Sequence, residues 1–279
     1  MTSYFKLIRP YVFVGAFSLL AFSCSDDVDE ILDMGQEQEE EQEQKLVVEQ
    51  TELAAIFDLD DMSSAADGMI SGIYSDRNSA NSGKDETCYT AVYTEKGFSA
   101  TFDNCTSAAN DYLMNGSIEV VYGGEEDSHD YTVSYSNFSV RGIKLNGERS
   151  VGISVEESIN GYDLVLDVGV DMDVVLEDGR ELSEEGEKNY RFVSPDSGEG
   201  FVLQMNGEWT VTSDDDTYNI DIANVLKAES SCDYIGKGLM ELSKNGLTVD
   251  VDFGDGSCDD IADLIYPDGT KEVISLKKE

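Results

Sequence analysis

The chain has 279 residues, 59 of them acidic and 18 basic, for a net charge of −41. So negative a surface repels phosphate backbones and anionic headgroups, which excludes nucleic acid as a partner. It leaves divalent cations, basic partners or plain solubility as uses for the charge, and the 40% hydrophobic share is ample for one large domain or two small ones.

Lys6 and Arg9 precede an apolar stretch from Tyr11 to Phe22, which runs into Ser23, Cys24 and the acidic tract Ser25-Asp26-Asp27-Val28-Asp29-Glu30. A basic flank, a short apolar run and a small residue before a cysteine make the layout of a secretory signal over residues 1–23. A bilayer-spanning helix needs about twenty apolar residues, so a permanent transmembrane anchor does not fit. Ala21-Phe22-Ser23-Cys24 resembles a lipoprotein lipobox. The resemblance implies acylation of Cys24 and a membrane partner reached through that anchor. Several acyl chains, at ~0.8 kcal/mol per buried methylene, hold firmly where one is marginal. The alternative is an ordinary secretory signal with a coincidental cysteine. The acids after Cys24 resemble the export signal of Bacteroidetes surface lipoproteins, which implies the outer membrane with the protein facing the cell exterior. As a plain acidic linker they would leave the protein in the periplasm.

Residues 24–50 read as a tether, because Gln36–Gln44 is nearly pure Glu and Gln and cannot bury a core. Within 51–84, Leu53, Ile56, Phe57, Ala65, Ala66, Met69, Ile70 and Ile73 recur at helical spacing and predict a short helical segment ending in a Ser/Asn/Gly loop. From residue 85 to 279 the pattern is strand. Turn pairs recur at Lys96-Gly97, Asn146-Gly147, Asn160-Gly161, Asp178-Gly179, Asn206-Gly207 and Asn245-Gly246, and at Pro267-Asp268-Gly269. Over 162–176 the apolar residues Tyr162, Leu164, Leu166, Val168, Val170, Met172, Val174 and Leu176 share one face, and Asp163, Asp167, Asp171 and Asp173 the other, with Gly169 expected to bend the run. The expected fold is all-β: a large antiparallel meander, as a curved open sheet, sandwich or barrel, with one buried and one acidic face.

Beyond Cys24, four cysteines remain: Cys88, Cys105, Cys232 and Cys258. An even count in an exported chain predicts two disulfides, whereas zinc lacks a close Cys pair and has one His to draw on. A two-residue turn at Lys96-Gly97 pairs Glu95 with Phe98 and sets Cys88 opposite Cys105 on the solvent face. A three-residue loop at Lys244–Gly246 sets Cys232 opposite Cys258. A two-residue Asn245-Gly246 turn matches apolar partners better, and one bulge at Gly236 or Gly238 on the first strand reconciles the two. The two Cys-bounded hairpins read as a degenerate repeat.

Three stretches carry a wider likeness: Phe102-Asp103-Asn104-Cys105-Thr106 with Asn115-Gly116-Ser117-Ile118; Tyr131-Thr132-Val133 through Asn146-Gly147-Glu148-Arg149; and Val251-Asp252-Phe253-Gly254-Asp255-Gly256-Ser257-Cys258-Asp259. Through them residues 85–276 resemble a family of uncharacterised lipoproteins from Bacteroidetes, especially flavobacteria. The resemblance implies location and fold, and no chemistry.

Chemistry has few footholds. His129, the single His, sits in Asp127-Ser128-His129-Asp130, a predicted turn, and no Gly-x-Ser-x-Gly elbow supplies a nucleophile. Ser275-Leu276-Lys277-Lys278 matches a Ser-x-x-Lys string in a terminal strand. Asp250, Asp252 and Asp255 open like a calcium loop, but the glycine is out of step and the twelfth position is Ile261. Calcium is therefore the one cofactor to test, with an acidic turn as the alternative reading there and at Asp214-Asp215-Asp216. Trp209, the sole Trp, falls beside the predicted Asn206-Gly207 turn, where it either plugs a sheet edge or offers a stacking platform to a sugar. The expectation is a non-enzymatic surface lipoprotein with a binding or structural role. A glycan-binding or glycan-degrading component is the alternative, and calcium-dependent adhesion a third reading.

Overall fold

A computed structural model describes residues 88–106, 113–123, 130–159, 161–195, 200–213 and 216–277, together with Val48, Ile56, Leu59, Ile70 and Ile73. The signal, Cys24, the tether up to Val48, most of 51–84 and His129 lie outside the described residues. Residues 45–279 form one compact unit.

Thirteen strands make one open antiparallel sheet whose strand order is the chain order. They are β1 (Tyr89–Tyr93), β2 (Gly97–Thr106), β3 (Leu113–Tyr122), β4 (Tyr131–Val140), β5 (Ile143–Ser158), β6 (Gly161–Val175), β7 (Glu181–Val193), β8 (Val202–Ser213), β9 (Asp216–Glu229), β10 (Lys237–Lys244), β11 (Leu247–Asp255), β12 (Ile261–Ile265) and β13 (Lys271–Ser275). The meander expected from the turn signals is the observed topology.

Period-two alternation gives the sheet one apolar face, and that face is buried from β2 to β13 in a single cluster. Residues such as Met114, Leu145, Ile220, Met240 and Leu242 are almost wholly buried. A flat single layer cannot bury its own side chains, so the inner face must curl on itself or be covered. Val48, Ile56, Leu59, Ile70 and Ile73 belong to that cluster, the last four in helical conformation. The Tyr93 hydroxyl donates to the Ile73 carbonyl at 3.0 Å. The tether of the sequence reading thus ends before Val48, which is core.

Two predicted turns are not turns. Asn146-Gly147 lies inside β5 and Asn206-Gly207 inside β8. The chain instead reverses before β5 at Arg141-Gly142, both residues at positive φ. Asn-Gly serves here as half of a bulge. Asn104 and Asn137 take the left-handed conformation, at φ 51° and 47°. Each donates its backbone N–H, at 2.8 Å, to the side-chain oxygen of an Asn on the next strand, Asn115 and Asn146 respectively. The glycine after each acceptor lies against a neighbouring backbone. A Cβ on Gly116 would sit 2.1 Å from the Asn137 carbonyl oxygen, and one on Gly147 2.3 Å from that of Asp171. Such bulges bend a strand and sharpen its twist, which curls a one-sided sheet toward its apolar face.

β6 runs unbroken past Gly169, in register with both neighbours. Its burial phase inverts near Leu166: Asp163 and Val165 are buried, whereas Tyr162 and Leu164 are exposed. Asp163 is covered on the wet side by Arg191, whose Nη1 donates to it at 3.0 Å and whose Nη2 donates to Glu156. These bonds push the Arg191 pKa further up, Glu156 contributing most.

Both disulfides form as paired in the sequence reading, but neither sits as drawn there. β1 and β2 pair Tyr93 with Phe98, two positions off the expected register, so Cys88 is not opposite Cys105. The bulge at Asn104 then swings Cys105 to the inner face, fully buried, while Cys88 stays exposed. At the second hairpin the two-residue Asn245-Gly246 turn holds, with Met240 by Val251 and Leu242 by Val249. The register breaks across Gly238 as expected, yet the extra residue falls on β11 at Phe253-Gly254. Cys232 and Cys258 therefore join two loops outside the ladder.

The chain-entropy term for either bridge is about 3 kcal/mol, and the longer Cys232–Cys258 loop adds only about 0.4 kcal/mol. A buried, unpartnered hydroxyl costs roughly 1–3 kcal/mol. Burial should win: urea unfolding should show Cys88→Ser/Cys105→Ser to be more destabilising than Cys232→Ser/Cys258→Ser, although it opens the shorter loop.

Candidate functional site

The wet face carries a pattern that only the register reveals. Glu187 on β7 stands opposite Glu208 on β8, which stands opposite Asp221 on β9. Asp221 faces Glu241 on β10, and Glu241 faces Asp250 on β11. Five carboxylates thus line up across five strands, one per strand spacing of about 4.8 Å. A second row sets Glu148, Asp171 and Glu185 side by side on β5, β6 and β7. Directly opposed like charges destabilise a sheet. In water each such pair costs about 0.8 kcal/mol at ~5 Å, less with salt.

Toward β5 the acidic row ends in small residues. Glu187 faces Gly169, which faces Ser150. Removing side-chain bulk there leaves a groove of about 800 Å³, floored by Ser150, Gly152 and Gly169 and walled by Asp167, Glu187, Asn189, Asn206, Glu208 and Asp221. Asn189 Nδ2 donates to Asp167 Oδ1 at 2.7 Å, fixing one wall. Carboxylates and amides around a small-residue floor can hydrogen-bond amines or hydroxyls.

A second groove of about 450 Å³ holds two of the calcium candidates. Asp250 is not in it, since it belongs to the acidic row. Asp252 faces Asp263 across β11 and β12 and accepts from the Gly254 N–H at 3.0 Å. Asp255 accepts from the Ser257 hydroxyl at 3.0 Å, which, with the Ser257 N–H, holds its carboxyl below the usual carboxylate range. Asp252 and Asp255 therefore act as turn acceptors. Among the described residues no three Asp, Glu, Cys or His side chains converge to hold a metal ion.

Trp209 is the sharpest correction. It lies mid-strand on the inner face, 3% exposed, because the chain does not turn at Asn206-Gly207. No sugar can stack on it there. It packs over Gly186, whose Cβ would come within 2.5 Å of the Trp209 Cα and Cβ. Glu184 and Lys188, also inward, reach across that glycine to each other at 2.5 Å, and Lys188 Nζ lies 4.5 Å from the Trp209 ring centroid. Arg149 is buried on the same face. The signal for this cluster was present: Leu182, Tyr190 and Phe192 set the inward phase of β7, and Glu184 and Lys188 share it.

Compared with protein-family models, curated proteins and solved structures, the chain matches none. Among the described residues no helix is long and apolar enough to cross a membrane.

A buried pair costs desolvation that its attraction only about repays, so losing one partner is far worse than losing both. Lys188→Ala should cost about 3–5 kcal/mol, and Lys188→Met combined with Glu184→Leu should recover most of it. Urea unfolding followed by Trp209 emission reads both; equal losses would show the pair to have no coupling.

Proposed function

We propose that the chain is an exported, lipid-anchored, non-enzymatic binding protein of the outer surface, akin to the Bacteroidetes lipoproteins it resembles. One observation carries the anchoring. Of five cysteines, Cys88, Cys105, Cys232 and Cys258 pair among themselves, leaving Cys24 as the odd one at the end of the apolar leader. Two disulfides fit an oxidising compartment, and a thiol with no disulfide partner beside a leader fits acylation. Ile56, Leu59, Ile70 and Ile73 join the core of the inner face, which leaves the wet face for partners.

That wet face supports the binding role. The acidic row gains from any cation that relieves its repulsion, so a basic peptide or polyamine suits the groove best. The glycan reading keeps some support from Asn189, Asn206 and Asp167, whose amides and carboxylate suit sugar hydroxyls, but it loses the Trp209 platform.

Two measurements test this. Labelled palmitate should enter the wild-type chain, and Cys24→Ser should abolish the label and move the protein from membrane to soluble fraction. A lysine-rich peptide should bind the purified protein and weaken at least tenfold between 50 and 500 mM salt, with Glu187→Gln/Glu208→Gln weakening it further. Salt-insensitive binding of a neutral oligosaccharide instead would favour the glycan reading.

A further inference from the structure

The inward apolar face runs on past the buried core. Strands β5, β6 and β7 have 16, 15 and 13 residues, whereas β1 and β10–β13 have 5 to 9. The excess projects at the end of β5–β8. There Val155 pairs with Leu164, Leu164 with Phe192, and Phe192 with Leu203, all on the inward side. Val155 is 66% exposed, Tyr162 66%, Leu164 39% and Phe201 43%. The Phe201 ring meets Phe192 edge to face at 5.4 Å. The result is a continuous apolar apron that belongs by alternation to the core but stands in solvent.

We propose that this apron is the interface between two copies of the chain, packed apron to apron about a two-fold axis. Area is the first argument. At about 150–200 Å² per side chain, the exposed fractions of Val155, Tyr162, Leu164 and Phe201 add to roughly 320–430 Å² per copy. A patch of that size matches the largest on a typical monomer, and such patches are often functional. Homodimer interfaces are about 65% apolar, so two aprons imply roughly 1,000–1,300 Å² in total, at the low end of stable interfaces. Shape is the second. Two sheet faces interdigitate at about 10 Å, and an isologous contact closes after two copies. Charge is the third. Glu157, exposed and paired with Tyr162, stands at the apron's edge on the same face, which disfavours an anionic lipid surface as its occupant. The proposal stands apart from the groove, which lies on the opposite face.

The test uses the full mature chain, extracted in detergent and weighed by analytical ultracentrifugation. It should be a dimer near 10 µM, and its dissociation constant should fall at least threefold from 50 to 500 mM salt, because salt screens the repulsion between two strongly acidic copies. Val155→Glu/Leu164→Glu should weaken the dimer at least thirtyfold with the disulfides and thermal transition retained. If that variant does not fold, a photo-crosslinking residue at Tyr162 in intact cells should yield a product of twice the mass containing this chain alone. A wild-type monomer at 100 µM, an unweakened folded variant, or crosslinks only to lipid or to another protein would overturn the proposal.

Discussion

A sheet of one layer with one apolar face must be bent and covered, and most of this structure follows from that need. The bend comes from backbone meeting backbone where no Cβ intervenes. Gly116, Gly147, Gly186 and Gly207 each lie where an added Cβ would meet neighbouring backbone at 2.5 Å or less. At Gly116 and Gly147 the neighbouring Asn supplies the hydrogen bond that a bulge otherwise loses. At Gly186 the space admits the Trp209 ring and lets Glu184 and Lys188 meet across the gap. The cover comes from upstream, through Val48, Ile56, Leu59, Ile70 and Ile73.

The two faces divide the chemistry. Inward, among the described residues, Glu184 meets Lys188, Lys188 also lies over the Trp209 ring, and Lys244 meets Asp216 and the Tyr218 ring. Outward charges are many and opposed, with carboxylate facing carboxylate from Glu187 to Asp250. A sheet tolerates such a row because each repulsion is small in water, while the apolar face beneath contributes about 25 cal/mol for every Å² buried. The row is therefore free to be set by something other than folding.

Period and turn chemistry were legible in the sequence to different depths. Alternation gave the buried set of β2 as far as Phe102 and the middle of β6, because a two-residue repeat has one solution until a bulge intervenes. Asp178-Gly179, Asn245-Gly246 and Pro267-Asp268-Gly269 turned as expected. Asn146-Gly147 and Asn206-Gly207 did not, since the positive φ that suits Gly to a hairpin tip also suits it to a bulge, and a local signal cannot choose between them. The displaced turn at Arg141-Gly142 follows from that ambiguity, whereas the Cys88–Cys105 register shifts because the first hairpin turns at Glu95-Lys96 with Gly97 already in β2. The acidic row was illegible for a different reason. Glu187, Glu208, Asp221, Glu241 and Asp250 become neighbours only through four registers, and every bulge between them moves the alignment by a residue.

Strand order that repeats chain order has a consequence for how the molecule is made. No strand waits for a distant partner: each pairs with the segment just synthesised, so closing costs stay small and hairpins can zip in sequence. A chain threaded amino-end first through a narrow pore could settle on the far side as it emerges, adding one strand at a time to a growing edge. Its last strands, β12 and β13, of five residues each, would then seal the template with Lys271 and Glu272 at the rim.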